Sequence, residues 1–422
     1  MLGFQRQISF GILLSGLLFA AAHAQAADLG GSCCADLEER IAELEATTAR
    51  KGNRKVSLTI SGWVNEAVFF WDDGVEDNVY VGTNDLERDR FRLTGEAKID
   101  GDWSAGYVIE IGIRGANSSQ FSQTSQAEVN SLDDRKAAWF VSSKTWGKVS
   151  VGQEGTATYH LLDDADVTLT RNYSDAEASG VYIGAFQTRI DGELSVTWRS
   201  LLGGFNNATP GQSGRRNIVR YDTPTYHGLS AATAWGEDDM WDASVTFKPD
   251  LRDYKAIVRA GYGQSSDPIT NGNRCATAGN GDCYWWGVAG SILHIDTGLF
   301  IYAGYGAEEY GNVPAVFDNQ SSVWFVQGGI ERKWHPLGKT NLFAEYRHDD
   351  AGLAASTTTI DGARVLSSEV DFWSLGVIQN IEKAAMDLYA MYRHTDGDAS
   401  TRLGTTEFDD FQMIITGAKI QF

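Results

Sequence analysis

Proline is scarce in this chain of 422 residues: six, against 46 glycines. With 13 Trp, 16 Tyr and 19 Phe beside so few prolines, the composition points to many strands and away from disorder. Positive charge is also in deficit. Lys and Arg number 35 and Asp and Glu 56, leaving a formal net charge of −21. Nucleic acid is therefore excluded as a partner, because phosphate binding needs the opposite sign. Long apolar runs are missing as well. Beyond the N-terminus no stretch approaches the length of a spanning helix, so a mature chain that crosses a membrane can do so only as a closed barrel. A mean hydropathy of −0.27 is compatible with that, since half of each spanning strand is polar.

Cysteine is limited to four residues. Cys275 and Cys283 bracket a short turn-rich loop, and in an exported protein that spacing favours a local disulfide. A metal site is not expected, because no His and no second Cys pair lies nearby, and no cofactor is expected anywhere. Cys33 and Cys34 are adjacent and stay open between an interchain bond and free thiols. Residues 1–26 read as a secretory signal, with Arg6 in the basic part, an apolar stretch from Phe10 to Ala22 and Ala24-Gln25-Ala26 before the cleavage point. Residues 27–55 form an N-terminal periplasmic segment. Within it Leu37, Ile41 and Leu44 give a short coiled-coil helix over 36–50, too brief to stand alone. The third domain, 56–422, is where the period changes to two.

One stretch of that domain is especially regular. In Leu86–Asp100 the residues Arg88, Arg90, Arg92, Thr94, Glu96, Lys98 and Asp100 share one parity. Phe91, Leu93, Gly95, Ala97 and Ile99 share the other. Strand side chains alternate between faces, so one face is charged and the other apolar. Sixteen such runs can be placed between Val56 and Phe422. The connections after even-numbered runs are short, near Gly101, 145–147, 224–227, 249–252, 296–297, 335–340 and 381–383. Most after odd-numbered runs are long and polar: 72–85, 115–134, 265–283, 309–321, 350–369 and 395–409. Sorting loop length by parity is the signature of a transmembrane antiparallel barrel, with turns at one rim and loops at the other. A soluble exported polysaccharide-binding β-protein has no reason to show it. Trp71, Trp103, Trp235, Trp241, Trp334 and Tyr392 fall near strand ends, where interfacial aromatic girdles are expected. Residues 155–215 are long for a structureless loop. A hairpin over 181–198, turning at Asp191-Gly192, could enter the wall and raise the strand number to 18.

The run Lys148-Val-Ser-Val-Gly-Gln153, then Arg216-Asn-Ile-Val-Arg-Tyr-Asp-Thr-Pro-Thr-Tyr-His-Gly228, resembles the Gram-negative general diffusion porins. Cys33-Cys34-Ala-Asp-Leu-Glu-Glu-Arg-Ile and Gly62-Trp-Val-Asn-Glu are similar to their alphaproteobacterial branch. The resemblance implies an all-β, sixteen-stranded homotrimeric barrel with a third loop folded into each pore. It also implies that the terminal strand ending in Phe422 is an assembly signal, read by the barrel-assembly machinery of the cell outer membrane. The other partners are then outer-membrane lipid, small hydrophilic solutes and ions.

A passive channel needs a lumen, a constriction and a charge pattern, and no catalytic group. Arg88, Arg90 and Arg92 stack on one inward face, joined by Arg220, as a basic wall. Asp163, Asp164, Asp166 and Asp175 in the third loop are the acids expected to oppose it. The total charge favours cations, and a weak cation preference is expected. A substrate-specific channel is the alternative. An enzyme is not expected: His160, Asp163, Asp164 and Ser174 supply the ingredients of a triad, but nothing sets a nucleophile beside a base and no Gly-x-Ser-x-Gly turn occurs.

Overall fold

The computed structural model describes residues 55–422 apart from 127, 174–179, 203–208, 237–238, 267–281, 312–314 and 353–357. The expected signal, the N-terminal helix and Cys33–Cys34 lie outside the described residues. Sixteen strands form one wall: Thr59–Asp72, Arg90–Asp100, Trp103–Ala116, Glu128–Ser143, Gly147–Gly155, Arg215–Asp222, Leu229–Gly236, Trp241–Phe247, Tyr254–Ser265, Cys283–His294, Leu299–Tyr310, Gln320–His335, Gly338–Ala351, Ala363–Ile381, Met386–Thr401 and Phe411–Gln421. Each pairs antiparallel with the next. The first and last close the barrel from Trp63↔Gln421 to Asp72↔Gln412. The sheet thus closes on itself, which is the condition for strands in lipid.

The two faces invert the usual order of a soluble protein. Val258, Ile301, Leu342, Leu375 and Leu388 are exposed on the outside, while Asp242, Glu308, Gln327, Glu345 and Arg393 are buried inside. Trp235, Trp241, Trp324 and Trp373 are exposed near the upper ends of this apolar belt, and Trp103 and Trp334 near the lower. The short turns close with left-handed residues such as Gly101, Gly298 and Ala385. At Gly228 a side chain is also barred by space: a Cβ would stand 2.3 Å from the Lys248 carbonyl oxygen.

The third loop settles the strand number at sixteen. Gly147–Gly155 pairs directly with Arg215–Asp222, from Lys148↔Asp222 to Gly155↔Arg215. The hairpin at Asp191-Gly192 does form, from Gln187–Ile190 and Glu193–Thr197, but as a separate two-stranded sheet outside the wall.

Two local expectations change. The stretch from Leu86 does not enter a strand until Arg90. Before it, Asp77–Thr83 pairs with the upper half of the first strand, from Glu66↔Thr83 to Asp72↔Asp77. Asp85–Glu87 then makes one 3-10 turn, and Glu87 is buried. Trp71 belongs to no outer girdle. It is 2% exposed and packs against Tyr80, Phe186 and Phe411, because the third loop brings apolar side chains to that part of the inner wall.

Candidate pore constriction

The third loop runs along the inner wall, tied to one strand after another. Ala157 and Thr158 donate backbone N–H bonds to the Asp242 carboxylate at 3.0 and 2.8 Å. Trp285 Nε1 donates to Thr158 Oγ1 at 3.0 Å. That indole lies over Gly263, where any Cβ would collide with its ring. Arg259 donates to the His160 carbonyl, and Tyr302 to that of Leu162 at 2.8 Å. Leu169 N donates to Glu331 at 2.8 Å, and the Tyr173 hydroxyl to Asp387. The later part of the loop is apolar. Tyr182, Ile183, Phe186, Trp198, Leu201 and Leu202 join Phe69, Trp71, Phe121, Phe372 and Phe408 in one buried cluster. Arg189, 6% exposed at its side chain, closes this region on Asp73 at 2.8 Å.

Opposite the loop's first half, the inner face of the strands Arg90–Asp100, Trp103–Ala116 and Glu128–Ser143 carries an ion-pair cluster centred on Glu110, which is fully buried. Arg92 Nε donates to Glu110 at 2.6 Å, Arg135 Nε at 2.8 Å and Arg90 Nη1 at 3.3 Å. Arg135 arrives there through a bulge. The register steps from Glu110↔Lys136 to Ile111↔Asp134, which leaves Arg135 as the extra residue. A bulge lets two successive side chains serve one face: Arg135 reaches Glu110, and Lys136 meets Glu154 at 2.6 Å.

The cluster is chained to the loop. Arg90 also meets Glu87 at 3.1 Å. Glu87 meets Arg171 of the loop at 3.6 Å, and Arg171 meets Asp163 at 2.6 Å and Asp164 at 3.3 Å. Asp164 meets Arg259 of the far wall at 3.1 Å, and His160 Nδ1 lies 2.6 Å from Asp163. Charge therefore alternates across the barrel from one wall to the other. Burial alone would raise the Asp163 carboxyl, but Arg171 and His160 outweigh it and hold the group well below the carboxylate range. Glu87 is held low in the same way, burial being outweighed by Arg90, Arg171 and Lys419. Asp166 goes the other way: burial raises it despite hydrogen bonds from Thr170 and Thr168.

The expected residues thus fall in different places. Arg90 and Arg92 face the lumen together. Arg88 stands in the bend before them and pairs with Asp85 at 2.7 Å and Asp133 at 3.0 Å. Arg220 pairs with Asp222 at 2.7 Å and donates to the carbonyls of Gly155 and Thr156, holding the root of the loop. Asp163 and Asp164 reach the network through Arg171, and Asp166 bonds within the loop. Asp175 and Ser174 lie outside the described residues. Cys283 is disulfide-bonded, and Cys275 lies outside the described residues. Phe422 exchanges two 3.0 Å backbone bonds with Gly62. Among the described residues no His, Cys, Asp and Glu are grouped to hold a metal ion. Glu110, Arg135, Glu87, Arg171 and Arg259 were not among the expected site residues. The alternation places Glu110 on the polar face, but a bulge cannot be read from parity, and no local signal aims Arg171.

A closed barrel of sixteen antiparallel strands, inverted in polarity and crossed by one inward loop, is an outer-membrane channel. The Gram-negative porin family matches residues 14–401, and the chain belongs to that family. Solved structures agree in fold. The anion-selective porin from Comamonas acidovorans aligns over 87% of this chain and 100% of its own, with 13% identity and a TM-score of 0.57. OmpT of Vibrio cholerae, expressed in the outer membrane, covers 88% and 99% with 13% identity and a TM-score of 0.54. Salmonella typhi OmpF, in complex with daunomycin, covers 88% and 99% with 14% identity and a TM-score of 0.52. No curated protein sequence matches the chain significantly. The protein is an outer-membrane diffusion channel.

Proposed function

We propose that this porin is a general, passive and non-enzymatic channel for ions and small hydrophilic solutes, and that the chain from Glu110 through Arg90, Glu87, Arg171 and Asp164 to Arg259 is its constriction. The ion-pair network carries this reading. It joins two walls through the inward loop, and fixed charges at a narrow point set the preference of a pore. The linked groups are five guanidiniums, of Arg90, Arg92, Arg135, Arg171 and Arg259, against four carboxylates, of Glu87, Glu110, Asp163 and Asp164. The local excess is positive, although the chain as a whole is acidic. Local charge outweighs distant charge in salt, where screening acts over about 10 Å. The reversal potential of single channels in a salt gradient should therefore lie on the anion side. A clear cation preference would refute the assignment of the constriction. Block by one sugar or one organic acid at low concentration would replace the general channel with a substrate-specific one.

The working unit is proposed to be a homotrimer. A solved OmpT of Vibrio cholerae, of the same fold, is in trimer form. The chain order is proposed as signal 1–26, periplasmic segment 27–55 and barrel 56–422. The Cys283 bond is proposed to run to Cys275, and the Phe422 strand to serve the barrel-assembly machinery.

A further inference from the structure

The motif Gly62-Trp-Val-Asn-Glu turns two side chains inward, Trp63 and Asn65, and both serve the bend that delivers Glu87 to the constriction. The ladder between the first strand and its neighbour is interrupted there. It ends at Glu66↔Thr83 above and resumes at Trp63↔Arg90 below. Between these points the chain turns through Asp85–Glu87, and side-chain bonds take the place of the missing rungs. Asn65 is fully buried. Its backbone N–H donates to the Asp89 carboxylate at 2.6 Å, and its Nδ2 donates to the Glu87 carbonyl at 3.2 Å. Its own carbonyl accepts from Asn84 N at 3.0 Å, and its side-chain oxygen accepts from the Tyr389 hydroxyl at 2.9 Å. Trp63 Nε1 donates to the same Glu87 carbonyl at 3.1 Å. A carbonyl oxygen is satisfied by either of two such donors, so this bond alone does not explain why an indole stands at position 63.

The ring has a second set of neighbours, and they are cations. The Arg90 guanidinium lies 4.4 Å from the indole centre and the Lys419 ammonium 4.7 Å. They arrive from the strands on either side. Trp63 pairs with Arg90 in one ladder, and Lys419 stands opposite Asn65 in the other. Both cations are buried, Arg90 at 7% exposure and Lys419 at 3%. Glu87 lies within electrostatic reach of both. Arg90 closes on it at 3.1 Å, and Arg171 of the loop at 3.6 Å. Lys419 rests instead on the indole and, at 5.8 Å, on the Tyr173 ring.

We propose that Trp63 is a positioning residue of the constriction, a spacer whose ring holds Lys419 apart from Glu87 and so leaves that carboxylate to Arg90 and Arg171. A buried ammonium needs a partner, and a ring face supplies one without carrying a formal charge. With the ring removed, Glu87 is the strongest attraction left to Lys419, whose flexible stem lets the ammonium swing toward it. A third cation on Glu87 weakens its tie to Arg171, the link between wall and loop. It also brings one more positive charge into the narrow part of the pore. The proposal rests on the reading of this ion-pair network as the constriction.

Single-channel reversal potentials of the full chain in a salt gradient test it, with gel mobility before and after heating to show that each variant forms a barrel. Trp63→Leu should move the reversal potential toward anions. Trp63→Phe keeps a ring face while Asn65 still serves the Glu87 carbonyl, and it should behave like the wild type. In a Lys419→Met background Trp63→Leu should give no shift, because the cation that would move is gone. Should Trp63→Leu fail to form a barrel, Trp63→Met, which fills more of the space without a ring, takes its place. A wild-type reversal potential in the ringless variant, or an equal shift with Lys419→Met present, would overturn the spacer. Glu87→Gln separates this from the constriction itself. A shift in Glu87→Gln but none in Trp63→Leu would leave the constriction standing without the spacer, and no shift in Glu87→Gln would remove both.

Discussion

The inner wall has two regions built from the same alternation, and they behave oppositely. On Arg90–Asp100, Trp103–Ala116 and Glu128–Ser143 the inward residues are charged and pair with one another around Glu110. On Thr59–Asp72 and Phe411–Gln421 the upper inward residues are Phe69, Trp71, Phe411, Met413 and Ile415, all buried. The second region is dry because the apolar half of the third loop packs on it. The first meets the loop's polar half, at Arg171, Asp163 and Asp164. An inward side chain is therefore lumenal or core according to what covers it.

The comparison can be broken most sharply on the dry side. Trp198 is 1% exposed and meets Phe408 edge to face. Trp198→Ala should cost about 3–5 kcal/mol of loop docking. The measurement is protease cleavage within 187–202 together with conductance; a loop that stays protected and a quiet channel would contradict the packing. Glu110→Gln acts on the charged side. It removes the shared carboxylate from three guanidiniums, at a cost of about 1.5–3 kcal/mol for a charge-assisted contact. The reversal potential should move further toward anions, and an unchanged value would place Glu110 outside the conducting path.

The charged side should also respond to acid. Asp163 and Glu87 are depressed in the folded state. Groups of that kind contribute stability that is fully present above the unfolded carboxyl value of about 4 and lost as pH falls through the folded value. Asp166, which is raised, is relieved by acid and partly opposes the loss. Single-channel noise should thus stay flat from neutral pH to about 4 and rise below it. Asp163→Asn should be noisy throughout, and noise that starts only near pH 6–7 would point to other groups. The smallest effect is expected outside both regions. Lys333 and Glu382 meet at 2.7 Å but are each half exposed; Lys333→Ala should change heat stability by less than about 1 kcal/mol.

Much of this could be read along the chain. Parity along Leu86–Asp100 gave the polar face that Arg90 and Arg92 occupy, and loop length sorted by parity gave the barrel. Arg88 stands off the lumen face because the chain turns through Asp85–Glu87 before the strand begins at Arg90, a break that no period of two records. Trp71 was placed outside because an aromatic near a strand end looks the same whether lipid or a folded loop covers it. The alternation also puts Glu110 inward, yet its weight comes from Arg135, and a bulge brings that residue in.

By itself, the sequence determined what local chemistry repeats: the period, the turns, the strand number to within one hairpin and the inward position of the charges. These follow from backbone geometry and need only neighbours in the chain. The tertiary structure decided the rest. It kept the Asp191-Gly192 hairpin out of the wall and turned part of the inner wall into a core. It also linked Glu110 to Arg259 through Arg171. Those outcomes depend on contacts between residues far apart in the chain, where packing and charge pairing act across the barrel and not along the strand.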